Sequence, residues 1–199
     1  MTANSPLGRS HCTSGFVFDK WTTRERLVST AFHCNFAAAG TPETFFTASA
    51  SGRQLVGTMW YHAPAGHQAA DVMLLRAAPG TSFNNPTAYV GPSDKRTVGA
   101  YVQSVGQGQV AAKYGGTTGY TSFTIGGHAV LQYGDGSSRT FAWANTNCQG
   151  GDSGGPMFWA RSDMKITAAG QTTATSSTTC YFLQVGMMSQ TIAGTVLTG

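Results

Sequence analysis

Short apolar runs broken by turn residues fill this chain, and they constrain its fold more than any other feature. Thr13 to Phe18, Leu27 to Ala31, Phe45 to Ala48, Gln54 to Tyr61 and Asp71 to Arg76 form a first group. Loop signals follow at Pro79-Gly80, Asn84-Asn85-Pro86 and Gly91-Pro92. A second group comprises Thr97 to Val105, Gln109 to Tyr114, Tyr120 to Ile125, Ala129 to Tyr133, Thr140 to Ala144, Pro156 to Trp159, Ile166 to Thr172 and Tyr181 to Val185. Gly126-Gly127 and Gly134-Asp135-Gly136 suit hairpin turns. No window carries a sustained helical period, and a short helix is expected only within Ser189 to Leu197. About a dozen short, closely spaced strands mean a sandwich or barrel. Turn residues concentrate at 79–96 and divide the runs. The expectation is therefore an all-β chain of two packed antiparallel β-barrels of roughly six strands each. They would span residues 12–90 and 91–199, after an irregular polar segment at 1–11.

Composition narrows the function classes. The 199 residues are 41% hydrophobic and only 10% charged, a globular balance. No stretch approaches the roughly 18 uninterrupted apolar residues of a membrane span, so no membrane partner is expected. The net charge of +4 is scattered, with Arg24 and Arg26, and Lys95-Arg96, as the only close basic pairs. Nothing resembles the basic stripe of a nucleic-acid binder. Four cysteines, Cys12, Cys34, Cys148 and Cys180, allow three pairings, and none forms a Cys-x-x-Cys unit. Pairing in chain order would close one loop in each half, each bridge worth about 3 kcal/mol. Such usage suggests an oxidising, extracellular setting rather than structural zinc. Met1-Thr2-Ala3-Asn4 lacks the charged and apolar regions of a signal peptide, so the chain is either a mature form with Met1 added or cytosolic, and the cysteines favour the first. His62 and His67 read as ordinary loop residues; neither a metal nor another cofactor is expected.

One hexapeptide carries chemistry: Gly151-Asp152-Ser153-Gly154-Gly155-Pro156. Its glycines let the backbone approach closely and aim N–H groups at an oxygen under attack. A serine is inert at its ordinary pKa and needs a base beside it. Of the five histidines, His33 stands out, ending an apolar run and preceding Cys34, whose disulfide would anchor it. The base in turn needs a buried carboxylate to orient it. Only eight acidic residues exist, and elimination works. Asp152 belongs to the serine loop. Asp19, Asp94, Asp135, Asp163, Glu25 and Glu43 lie in turns or polar surroundings. Asp71 alone heads an apolar run, Asp71-Val72-Met73-Leu74-Leu75, where an unpaired carboxylate would cost several kcal/mol.

At these residues the chain resembles the chymotrypsin-like serine proteases. Ser29-Thr30-Ala31-Phe32-His33-Cys34, the Asp71 run and Gly151 to Pro156 match that family's three motifs in its order of His, Asp, Ser. Lys113-Tyr114-Gly115-Gly116-Thr117-Thr118-Gly119-Tyr120 and Cys12-Thr13-Ser14-Gly15-Phe16 are similar to the short bacterial secreted branch, the streptogrisin and α-lytic-protease type. The likeness covers most of residues 12–185. It implies a secreted serine endopeptidase in which Ser153 attacks, His33 moves the proton and Asp71 orients His33. The N–H groups of Gly151 and Ser153 would form the oxyanion hole. It also implies the disulfides Cys12–Cys34 and Cys148–Cys180, and a Lys113–Asp152 ion pair where the branch uses arginine. Polypeptide substrates are the implied partners, together with a folding pro-region and protein protease inhibitors, and the chain is expected to be a monomer.

Several positions depart from the family. Phe32 replaces the small residue usual before the histidine. Gln149, Gly150 and Gly151 make the approach from Cys148 to Asp152 one residue shorter than the branch's norm. Asn147 stands where trypsin-like relatives place the pocket aspartate. Thr172-Thr173-Ala174-Thr175 stands where Thr-Ser-Gly-Gly lines the substrate. With Asn147, Gln149, Thr173, Ala174 and Thr175 at the pocket, the expected preference is for small or medium apolar side chains before the cleaved bond. Glutamate-specific relatives use a pocket histidine, and no histidine follows His128. The alternative is a catalytically silent β-barrel binding protein, against which the complete His33, Asp71, Ser153 set argues. An α/β-hydrolase needs a histidine after the nucleophile and is ruled out.

Overall fold

A computed structural model of the chain describes residues 2–5, 8–35, 44–46, 55–62, 70–132, 136–176 and 178–199. Glu43, His67 and the expected turn at Gly134-Asp135 lie outside the described residues. The first part of the chain forms β1 (Thr2–Ser5), β2 (Gly8–His11), β3 (Val17–Lys20), β4 (Arg26–Thr30), β5 (Thr44–Phe46), β6 (Leu55–His62) and β7 (Met73–Ala77). The second part forms β8 (Thr87–Tyr89), β9 (Lys95–Tyr101), β10 (Val110–Gly115), β11 (Gly119–Thr124), β12 (Gly127–Gln132), β13 (Ser138–Asn145), β14 (Pro156–Ala160), β15 (Ile166–Ser176) and β16 (Thr179–Gln184). Helix α1 (Val185–Ile192) and β17 (Gly194–Val196) end the chain.

Two sheets hold these strands, as an all-β chain requires. The first has the order β17-β3-β4-β7-β6-β5-β1-β2. The second runs β11-β10-β14-β15-β16-β13-β12, with β9 against β15 and β8 against β9. Strand β7 explains why Asp71 heads an unbroken apolar run. It lies between β4 and β6, with Ser29 opposite Leu74 and Met59 opposite Leu75. Alternation sends Leu74 into a cluster with Phe16, Leu27, Phe141, Leu183 and Met188, drawn from both sheets. Met73 and Leu75 point the other way, towards Cys12, Val28, Cys34 and Phe45. A strand covered on both faces has no polar side, so it reads as continuous hydrophobicity. The same cluster accepts Phe32, which is partly buried against it.

Three expectations are corrected. Residues 1–11 are not wholly irregular: β1 and β2 pair as a hairpin, Thr2 opposite His11, and β1 extends the sheet at β5. Their polar side chains give no apolar pattern, because the ladder is made by the backbone. The helix occupies Val185–Ile192, earlier than Ser189 to Leu197, because Val185, Met188 and Ile192 form its buried stripe. Ala193 then turns left-handed at φ 49° and Gly194–Val196 pairs with β3. The two sheets number eight and nine strands. The β9–β15 pairing is parallel, so the second sheet is not purely antiparallel. β8 pairs forward with β9, and β17 returns to the first sheet.

Candidate active site

The serine loop joins β13 to β14 and is held by main-chain bonds from two other segments. Thr13 N–H donates to Ser153 O at 2.8 Å, and Gly154 N–H donates to Thr172 O at 2.7 Å. Within the loop, Asp152 N–H donates to Gln149 O and Gly155 N–H to Asp152 O. Gly154 has φ +84°, and a Cβ there would collide with Thr13 O and Thr30 Oγ1. Gly151 has φ +101°, and a Cβ there would collide with Thr117 Oγ1. These two positions require glycine for conformation and for space. Among the described residues, the N–H groups of Gly151 and Ser153 have no acceptor, whereas those of Asp152, Gly154 and Gly155 do.

His33 sits in the short 3-10 turn Phe32–Cys34 that follows β4, and the Cys12–Cys34 disulfide ties that turn to the segment leading into β3. Asp71 reaches it from just before β7. Asp71 is 4% exposed and takes a left-handed φ of +49°, a conformation that aspartate tolerates better than most residues. Its Oδ1 accepts His33 N–H at 2.9 Å, and His33 Nδ1 lies 2.8 Å from Oδ2 and 3.0 Å from Oδ1. Thr173 Oγ1 donates to Oδ2 as well. On the far side of the ring, Nε2 lies 2.8 Å from Ser153 Oγ. A carboxylate can only accept, so it assigns the proton to Nδ1 and leaves Nε2 as the acceptor for the serine hydroxyl. Burial opposes charge on His33, but the hydrogen bond and the charge of Asp71 outweigh it. The histidine pKa is raised above its ordinary 6.5.

The Asp152 side chain is fully buried and bonds to Lys113, Thr117 and Thr118. Lys113 Nζ, from β10, lies 3.2 Å from Asp152 Oδ2, and neither side chain is exposed. Thr118 Oγ1 accepts from Lys113 Nζ at 2.6 Å and donates to Asp152 Oδ2 at 2.6 Å. The N–H groups of Thr117 and Thr118 both donate to Oδ1 at 3.0 Å, and Gln149 N–H donates to Oδ2 at 3.2 Å. Burial pushes the Asp152 pKa up, but the Thr118 bonds, the Lys113 charge and the Gln149 bond hold it below 3.8. Burial lowers the Lys113 pKa despite the attraction of Asp152. Thr13 Oγ1 completes the tether, accepting Gly116 N–H and donating to Gly151 O.

Of the residues expected at the pocket, Thr175 meets the 147–149 segment, its Oγ1 lying 3.4 Å from Cys148 O. Asn147 and Gln149 are exposed, and the Gln149 main chain serves Asp152. Cys148 is bonded to Cys180. Ala174 is half-buried, and Thr175 turns its hydroxyl to Ser176 O at 3.0 Å. Thr173 directs its side chain to Asp71. The register explains it. Thr172 opposes Phe182 and Ala174 opposes Tyr181, so Thr173 is the bulged residue and its side chain is re-aimed. Sequence reasoning did not single out Thr13 and Thr118 for a role, because hydroxyls are common in both neighbourhoods and no spacing marks these two.

No family model matches the sequence, and no curated protein matches it. Solved structures do. One is a glutamic-acid-specific serine protease that uses a histidine triad in substrate binding: 23% identity, TM-score 0.74, covering 98% of this chain and 97% of that one. Nocardiopsis protease (NAPase) is 22% identical with a TM-score of 0.67, covering 100% of this chain and 97% of its own. Cellulomonas bogoriensis chymotrypsin is 21% identical with a TM-score of 0.70, covering 100% and 96%. The chain has the double-barrel fold of the bacterial chymotrypsin-like serine proteases.

Proposed function

We propose that the chain is a serine endopeptidase that cleaves polypeptides through an acyl-enzyme. The observation that carries this is the unbroken series Asp71, His33 Nδ1, His33 Nε2, Ser153 Oγ, beside two N–H groups without acceptors among the described residues. Ser153 Oγ attacks the carbonyl carbon as its proton passes to His33 Nε2. The carbonyl oxygen gains negative charge and is met by the N–H groups of Gly151 and Ser153, each donor worth about 3–4 kcal/mol in the transition state. His33 then gives the proton to the amide nitrogen, and the C–N bond breaks. Water, losing a proton to His33, attacks the ester, and the proton returns to Ser153 Oγ as the acid leaves. The Asp71 carboxylate stabilises the imidazolium. Lys113 and Asp152 hold the loop that carries both N–H donors.

The substrate side chain before the cleaved bond is small or medium and apolar. Support comes from the uncharged Asn147, with Ala174 and Thr175 in place of glycines. Glutamate preference, as in the histidine-triad neighbour, is not proposed, since no histidine follows His128. The two disulfides support a secreted protein. A pro-region, protein protease inhibitors and a monomeric state belong to the same proposal. Digestion of a mixed peptide library tests it. Cleavage after small apolar residues by wild type, absent in Ser153→Ala, is expected. A library in which Lys, Arg or large aromatic residues win overturns the preference, and no cleavage of any peptide overturns the activity.

A further inference from the structure

Strand β15 carries a buried polar side chain that the proposed chemistry does not use. Gln171 is fully buried. Its Nε2 donates to Asp71 O at 3.1 Å and to Thr30 O at 3.4 Å, crossing from the second sheet to the first. Both acceptors are carbonyl oxygens, so the NH₂ end must face them. Gln171 Oε1 has no partner among the described residues. Its two N–H bonds are the contacts that this amide makes across the sheets. One of them ends on the residue with the strained φ of +49°. The Asp71 carbonyl is therefore held from two sides, by Gln171 and by Phe32 N–H at 3.2 Å. The next two residues of β15 serve the same centre. Thr172 exchanges main-chain bonds with the serine loop, donating to Gly155 O and accepting from Gly154 N–H. Thr173 Oγ1 donates to the Asp71 carboxylate.

We propose that Gln171 is a positioning residue for the proposed triad, holding the Asp71 main chain so that its carboxylate meets His33. Residues 171–173 then act as one ruler, setting Asp71 and Ser153 relative to each other across the two sheets. The inference rests on the serine-protease reading for its catalytic consequence, but not for its geometry.

The test is an NMR titration of the His33 imidazole in wild type and Gln171→Met, a variant of similar size without donors. Among the described residues, Asp71 is the one charged group bonded to His33, and Ser153 Oγ faces the other nitrogen. A displaced Asp71 supports the imidazolium less well, so the His33 pKa falls by about half a unit or more. With a cleavable peptide, kcat per titrated active site falls about tenfold while KM stays within about twofold. A His33 pKa and a kcat that both match wild type overturn the proposal, even where Gln171→Met melts at a lower temperature. A raised KM with unchanged kcat overturns it too. Should Gln171→Met fail to fold, Gln171→Asn, which withdraws the amide by one methylene, is read by the same criteria. A wild type that cleaves nothing refutes the protease reading and leaves the titration to decide Gln171.

Discussion

Replacing Lys113 with methionine leaves Asp152 as a buried carboxylate without its cation. Removing one partner of a buried pair costs about 3–5 kcal/mol. Asp152 keeps four other donors, the Thr118 hydroxyl and the N–H groups of Thr117, Thr118 and Gln149. These set the cost at the low end, about 3 kcal/mol, which at about 2–4 °C per kcal/mol lowers Tm by about 6–12 °C. The lost anchor also loosens the loop bearing Gly151 and Ser153, so kcat/KM falls about 10- to 100-fold. Lys113 itself is costly to bury, as its lowered pKa records. The double variant Lys113→Met, Asp152→Asn is therefore less destabilised than the sum of the single variants, by at least about 1.5 kcal/mol. The pH dependence follows from Asp152, whose folded pKa lies below the ordinary 3.8. Its contribution is present above 3.8 and is lost as pH falls through the folded value. In Lys113→Met that folded value rises, so acid unfolding starts at higher pH. Thermal melts across pH and peptide hydrolysis by Lys113→Met measure all of this. A Tm within about 2 °C of wild type and kcat/KM within about twofold would refute the anchoring role.

Asp71→Asn places an amide opposite His33 Nδ1 and favours the tautomer with the proton on Nε2; kcat falls about 10⁴-fold. Because Asp71 raises the His33 pKa, activity in wild type declines as pH falls through a value above 6.5, and in Asp71→Asn that limb moves to lower pH. A pH profile of kcat/KM checks it. Gly151→Ala puts a side chain at φ +101° against Thr117 Oγ1, so kcat falls about 10²-fold or more. Adding Thr117→Ala relieves the contact but not the backbone, and peptide kinetics of the double variant stay low.

The strand-rich fold was legible because β7, β14 and β15 are buried enough to print apolar runs on the sequence. Asp71 was legible for the same reason, being the one carboxylate at the head of such a run. Thr173 was not: its direction depends on a one-residue bulge against β16, and a bulge leaves no periodic signal. The β1–β2 hairpin escaped because backbone pairing of polar residues carries no hydrophobic alternation. Phe32 looked anomalous only in a local comparison; it packs against a cluster that gathers residues from distant parts of the chain, Cys12 to Leu75. Gln171 has the same difficulty, since its partners are carbonyl oxygens, and no side-chain pattern announces a main-chain acceptor.

Ser153 as the nucleophile is tested most directly by an active-site-directed phosphonate followed by mass mapping of the labelled peptide. The geometry of His33 Nε2 at 2.8 Å from Ser153 Oγ predicts one adduct per chain, on Ser153. The adduct is absent from Ser153→Ala and forms more slowly as pH falls through the His33 pKa. Folded wild-type protein that takes no label, or labels elsewhere, would contradict the account.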